Sequence, residues 1–153
     1  MGEHPMPSDS ELVPLVHPWI DESHAPVYEL TFPAETTDAE LEAFCAVREE
    51  WARRAQYRVA WVVNLAGIMR ATAGQRKLFS EHLKRFEPHD VAFNQGSALL
   101  VPNAFVRGIV TAVFWLKAPS FPHACFATLQ EARHWAERQL KGAQHSMRSP
   151  IAR

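Results

Sequence analysis

The sequence predicts an α/β domain: a mostly parallel sheet of four to five strands, one edge strand antiparallel, with about four helices. Three observations carry this. Four strand-like runs alternate with four stretches of helical periodicity, the order expected of β-α units joined by right-handed crossovers. One run, Tyr57–Leu65, is apolar almost throughout, as in a strand covered on both faces. Three helix starts carry a capping box.

The lead, residues 1–26, contains Pro5, Pro7, Pro14, Pro18 and Pro26, which exclude regular structure beyond a short extended piece near Leu12–Val16 or Trp19–Ile20. Its apolar residues are expected over the edge of the core. The domain proper spans 27–141. Val27–Phe32 alternates apolar and polar side chains and reads as a half-buried strand ended by Pro33. Thr37 and Glu40 form a capping box for helix Asp38–Ala55, whose inner stripe is Leu41, Phe44, Cys45, Trp51, Ala52 and Ala55. Strand Tyr57–Leu65 follows, then a loop opened by Gly67. Thr72 and Gln75 cap a helix with Phe79, His82, Leu83 and Phe86 inward, and Pro88 is expected to stop it at about Glu87.

Ala98–Val101 is a short buried strand closed by Pro102. Asn103 caps a strongly apolar helix reaching Leu116. Its stripe of Phe105, Val106, Ile109, Val110, Val113 and Leu116 is wider than a surface helix needs, so the sequence places it centrally, covered on most of its circumference. His123–Ala127 is the last strand. Thr128 and Glu131 cap helix Leu129–Lys141, which Gly142 is placed to end, and 142–153 reads as a polar tail.

Composition excludes several functions. The net charge of −1 gives no bulk attraction to nucleic acid or to an anionic membrane, and no apolar run is long enough to span a bilayer. The first residues lack the basic start and apolar core of a signal peptide, so a cytoplasmic protein is expected. Cys45 and Cys125 have no metal-ligand spacing and fit a reducing compartment, or two buried thiols acting as small hydrophobes. The eight histidines show no HxxxH or HExxH pattern. His82, on an apolar stripe, reads as a satisfied core histidine. There is no GxSxG elbow, P-loop or GxGxxG turn. Neither catalytic residues nor a cofactor or metal is assigned.

Within Tyr57–Leu140 the pieces WVVNLAGI, TAGQR, ALLVPNAFVRGIVTAVFWL and FATLQEARHWAERQL resemble the STAS superfamily, named for sulfate transporters and anti-sigma factor antagonists, and more closely its single-domain bacterial members. The resemblance implies a non-enzymatic regulatory domain acting through protein–protein contact, with binding of a nucleotide or other small ligand in some members. Members that are switched by phosphorylation carry a serine at the start of the second helix. Ala73 stands at that position and Thr72 at the preceding acidic one, so the switch serine is missing; Thr72 could take a phosphate, with a plain N-cap as its simpler role.

Two surfaces are expected to bind. One is the Asn64–Arg76 loop and helix start, with Asn64, Arg70, Thr72 and Arg76, where free helix amides also suit an anion. The other is a stripe on the apolar helix in which Ala104, Arg107, Gly108, Thr111 and Trp115 share one face, either a shallow packing groove or an arginine and tryptophan anchor for a partner. The leading expectation is a regulatory or scaffold protein with another protein as partner, self-association being a second use of exposed apolar area. The alternative is a small-ligand domain for a nucleotide or a lipid. An enzyme is the third reading, without local support.

Overall fold

The computed structural model describes residues 4–148, with side chains for 4–142. Its core is a five-stranded sheet: β1 (Ile20–Asp21), β2 (Val27–Thr31), β3 (Val59–Asn64), β4 (Asn94–Leu100) and β5 (His123–Phe126), side by side in chain order. β1 is antiparallel to β2 and every other pairing is parallel. The helices are α1 (Asp38–Arg54), α2 (Ala73–Phe93), α3 (Ala104–Leu116) and α4 (Leu129–Arg148). The α/β architecture expected from the sequence is the one observed.

Strands laid down in order and joined by right-handed crossovers send every connecting helix to the same face. The strand residues sort accordingly. Tyr28, Leu30, Trp61, Val63 and Leu99, with Val101 just after β4, meet α1, α2 and α3, whereas Val27, Ala60, Val62 and Ala98 meet Ala132, Ala136 and Leu140 of α4. The alternation is the period of the pleat. Gly96 lets α4 lie close, because a Cβ there would stand 3.0 Å from the Trp135 ring. Glu29 on this face is ion-paired with Arg133 of α4.

Capping follows the sequence closely. Thr37 Oγ1 accepts from Glu40 N at 3.0 Å, Thr72 Oγ1 from Gln75 N at 3.0 Å, and Asn103 Oδ1 from Val106 N at 2.9 Å. Thr128 Oγ1 accepts from Glu131 N at 3.3 Å. The lead enters the core further than expected: Leu15 is 1 % exposed, and Trp51 Nε1 donates to Val13 O at 3.1 Å. Of the two cysteines, Cys45 is buried, Cys125 is exposed, and both are free.

Three expectations are corrected. α2 does not stop before Pro88 but continues to Phe93 and passes directly into β4. Proline inside a helix forfeits a hydrogen bond and costs about 3 kcal/mol. Burial of His89, Asp90 and Phe93 beyond it, with His89 Nε2 donating to Ala55 O at 2.7 Å, offsets that loss. α4 runs through Gly142 to Arg148, so part of the expected tail is helical; residues 149–153 lie outside the described residues.

The third correction concerns α3. It is not central. Only Val106 and Val110 of this helix are buried, and Phe105, Trp115 and Leu116 are 60 %, 84 % and 62 % exposed. The breadth of its apolar stripe has another cause: Ile109, Val110, Val113 and Phe114 form the wall of a cavity.

Candidate functional site

The cavity, about 140 Å³, lies on the face carrying α1, α2 and α3. Leu30, Val63 and Leu99 of the sheet, with Leu65 just after β3, form its floor. Phe79 and Leu83 of α2 face Ile109, Val110, Val113 and Phe114 of α3 across it. Its mouth is at the C-terminal ends of β2 and β3, where open parallel sheets commonly receive ligands. Two loops make the rim: Phe32–Ala34 after β2, and Gly67–Ala71 after β3, which contains a 3₁₀ turn at Ile68–Arg70.

These two loops touch at Gly67. A Cβ there would fall 2.5 Å from Phe32 O and 2.7 Å from Pro33 O, so only glycine permits the approach. Gln75 ties the rim to both helix starts. Its Nε2 donates to Thr36 O at 2.8 Å and to Asp38 Oδ1 at 3.2 Å, while its Oε1 accepts from Thr72 N at 3.1 Å.

The walls are apolar, but the inner end is polar. Arg48, Asp90 and Ser97 line it, and all three are buried. Arg48 comes from the second half of α1 and lies between two rings, its guanidinium carbon 4.0 Å from the Phe86 centroid and 4.4 Å from that of Trp61. Such stacking stabilises a desolvated cation. Its Nη1 donates to His82 Nε2 at 3.3 Å, and its Nε has no acceptor among the described residues. Burial lowers the Arg48 pKa, and attraction to Asp90 opposes the shift.

His82 is fully buried and links this arginine to the surface. Its Nδ1 lies 2.7 Å from Glu49 Oε2, and Glu49 also accepts from Arg85 Nε at 3.1 Å. The tautomer that serves both neighbours carries its proton on Nδ1 and accepts at Nε2. Burial, seconded by the Arg48 charge, holds the His82 pKa down at about 4, so the ring is neutral at pH 7. The expectation of a satisfied core histidine holds.

Asp90 accepts from Asn94 Nδ2 at 3.1 Å, and Asn94 Nδ2 also donates to Ser97 Oγ at 3.0 Å. Burial raises the Asp90 pKa, with Arg48 and Asn94 opposing. Just beyond, Lys117 Nζ and Glu87 Oε2, 2.9 Å apart, fasten the end of α3 to α2.

The residues singled out in the sequence fall in two places. Arg70 and Arg76 stand at the cavity rim. Arg70 Nη1 donates to exposed Glu35 at 2.7 Å, and Arg76 Nη1 donates to Ala71 O at 2.7 Å. Thr72 is the α2 cap, its hydroxyl occupied by that role. Asn64 shapes the turn after β3, its Oδ1 accepting from Ala66 N at 3.0 Å. Arg107, Thr111 and Trp115 share the exposed face of α3, with Thr111 Oγ1 donating to Arg107 O at 2.9 Å. The two groups are not brought together into one site.

Sequence reading missed Arg48, Asp90 and Ser97. A signal for Arg48 was present: it falls four residues after Phe44 and three before Trp51, inside the apolar stripe of α1. Asp90 was hidden by the expected helix stop at Pro88. Among the described residues no group of three or more His, Cys, Asp or Glu is placed to hold a metal ion, and no helix is long and apolar enough to cross a membrane. No protein-family model, curated protein or solved structure matches the chain.

Proposed function

We propose that this is a non-enzymatic binding domain that takes up a small apolar molecule between its sheet and the α2–α3 pair. The observation that carries the reading is the cavity itself. A well-packed domain of this size leaves few voids larger than a water molecule, whereas this void is similar in volume to an engineered cavity of about 150 Å³ that stays dry and binds benzene. Its walls offer no glycine-rich phosphate cradle, which favours a lipid-like ligand over a nucleotide. The absence of a nucleophile paired with a base among the lining residues supports binding over turnover. The STAS-like motifs of the sequence support the same non-catalytic role.

The test is a thermal-shift screen with linear and aromatic apolar compounds on the wild type and on Ile109→Trp, which fills the cavity from α3. Ligands should raise the melting temperature of the wild type and leave the variant unmoved. Equal shifts in both proteins would place binding elsewhere and refute the reading.

A second reading is favoured by the outer face of α3, where Trp115, Phe105 and Leu116 stand exposed beside Arg107. Exposed tryptophan and arginine are the residue types that dominate binding hot spots. In this reading the domain is a regulatory scaffold docking a partner protein through α3. A hetero-complex that survives Trp115→Ala and Arg107→Glu together would refute it.

A further inference from the structure

The cavity's inner end has unmet hydrogen-bond donors. Arg48 is 5 % exposed, and of its guanidinium only Nη1 has an acceptor among the described residues, a neutral imidazole nitrogen at 3.3 Å. The Ser97 oxygen accepts from Asn94, and its own hydroxyl proton has no acceptor among the described residues. Asp90, the carboxylate at this end, is held by Asn94 and attracts Arg48 through its charge without a hydrogen bond between them. A buried cation without a close counter-ion is costly to maintain, and a bound anion removes that cost.

We infer that the inner end is a carboxylate site, in which the Arg48 guanidinium and the Ser97 hydroxyl receive the head of a linear fatty acid whose chain runs along the apolar walls toward the rim. This rests on the cavity reading proposed above. A carboxylate accepts only, as two unmet donors require, and guanidinium binds it in a fork geometry.

A phosphate monoester fits less well. A dianion there would meet a single positive charge, that of Arg48, with the Asp90 carboxyl close by. Volume sets the chain: about 140 Å³ takes an unbranched chain of octyl to decyl length rather than a fused ring system.

The experiment is calorimetric titration of the full chain with octanoate and decanoate, against 1-octanol and 1-decanol of matched length. The acids should bind about tenfold tighter or more than the alcohols, the factor of a charge-assisted hydrogen bond. Arg48→Met, of similar length without charge, should erase that preference while still binding the alcohols. If acids and alcohols bind the wild type equally, the carboxylate site is refuted and the cavity reading stands. If neither class binds, both fall together. Should Arg48→Met not fold, the methyl esters decide on wild-type protein: esters that bind as tightly as the acids refute the inference.

Discussion

Arg48 and His82 are joined inside the protein, the arginine's Nη1 3.3 Å from the histidine's Nε2, with Glu49 holding the far side of the ring. A fully buried guanidinium thus leans on a neutral imidazole rather than on a carboxylate. The arrangement neutralises little of the cation's charge, and it leaves the Nε donor without an acceptor among the described residues.

Arg48→Met should therefore leave the fold intact and at least as stable, because replacing a buried charge by an apolar side chain of similar volume is often neutral or stabilising by about 1–4 kcal/mol. Arg48→Ala should instead destabilise, since it also empties the space between Trp61 and Phe86. Urea titration of both variants checks this; a large loss in the methionine variant would mean the charge itself holds the core together.

Asp90→Asn removes the negative charge opposite Arg48 while keeping the shape. Octanoate affinity should rise by about an order of magnitude, because the ligand no longer meets a like charge in a low-dielectric site. Weaker or unchanged binding, read by the same calorimetry, would show that no negative charge of Asp90 opposes the ligand.

Stability should fall as pH drops from about 6.5 to 4. Burial lowers the pKa of His82 and of His89 to about 4 in the folded protein, against 6.5 for an unperturbed imidazole. The unfolded chain therefore binds protons first. The stabilisation is complete above pH 6.5 and is lost as pH falls through that window, at about 2 kcal/mol for each histidine by pH 5. Asp90, whose pKa is raised, offsets part of this, because the folded state takes up its proton before the unfolded chain does. Denaturant midpoints across the range check the sign, and His89→Gln should flatten the curve.

Gly67→Ala should disturb the rim more than the core. Its Cβ would fall 2.5 Å from Phe32 O, and a backbone atom cannot swing aside as a flexible side chain can. We expect a stability loss of about 1–3 kcal/mol, typical of local overpacking, together with weaker ligand uptake as the two rim loops part. Unchanged melting and unchanged affinity would show that the loops separate freely.

On α3, Trp115→Ala should change stability by no more than about 0.5 kcal/mol, as an exposed side chain outside any packed contact, while Val106→Ala should cost about 1–3 kcal/mol. Thermal unfolding of the two variants separates the free face of the helix from its anchored one.

The local rules were legible because they act over a few residues. Thr37 with Glu40 and Thr72 with Gln75 announce helix starts by short-range hydrogen bonding, and the strand alternation in Val27–Phe32 follows from the pleat. From these the sequence alone determined the α/β class, the order of elements and the single antiparallel edge. Tertiary structure decided the rest. Whether Pro88 ends α2 depended on the burial available to His89, Asp90 and Phe93 beyond it, a contribution from residues distant in the chain. Whether the apolar stripe of α3 fills a core or walls a cavity depended on how closely the helix approaches the sheet. Periodicity marks which side chains avoid water; it does not say whether the space they face is occupied by the protein itself. For the same reason Arg48, one polar residue in an apolar stripe, became a candidate binding group only when α2, β3 and β4 closed around it.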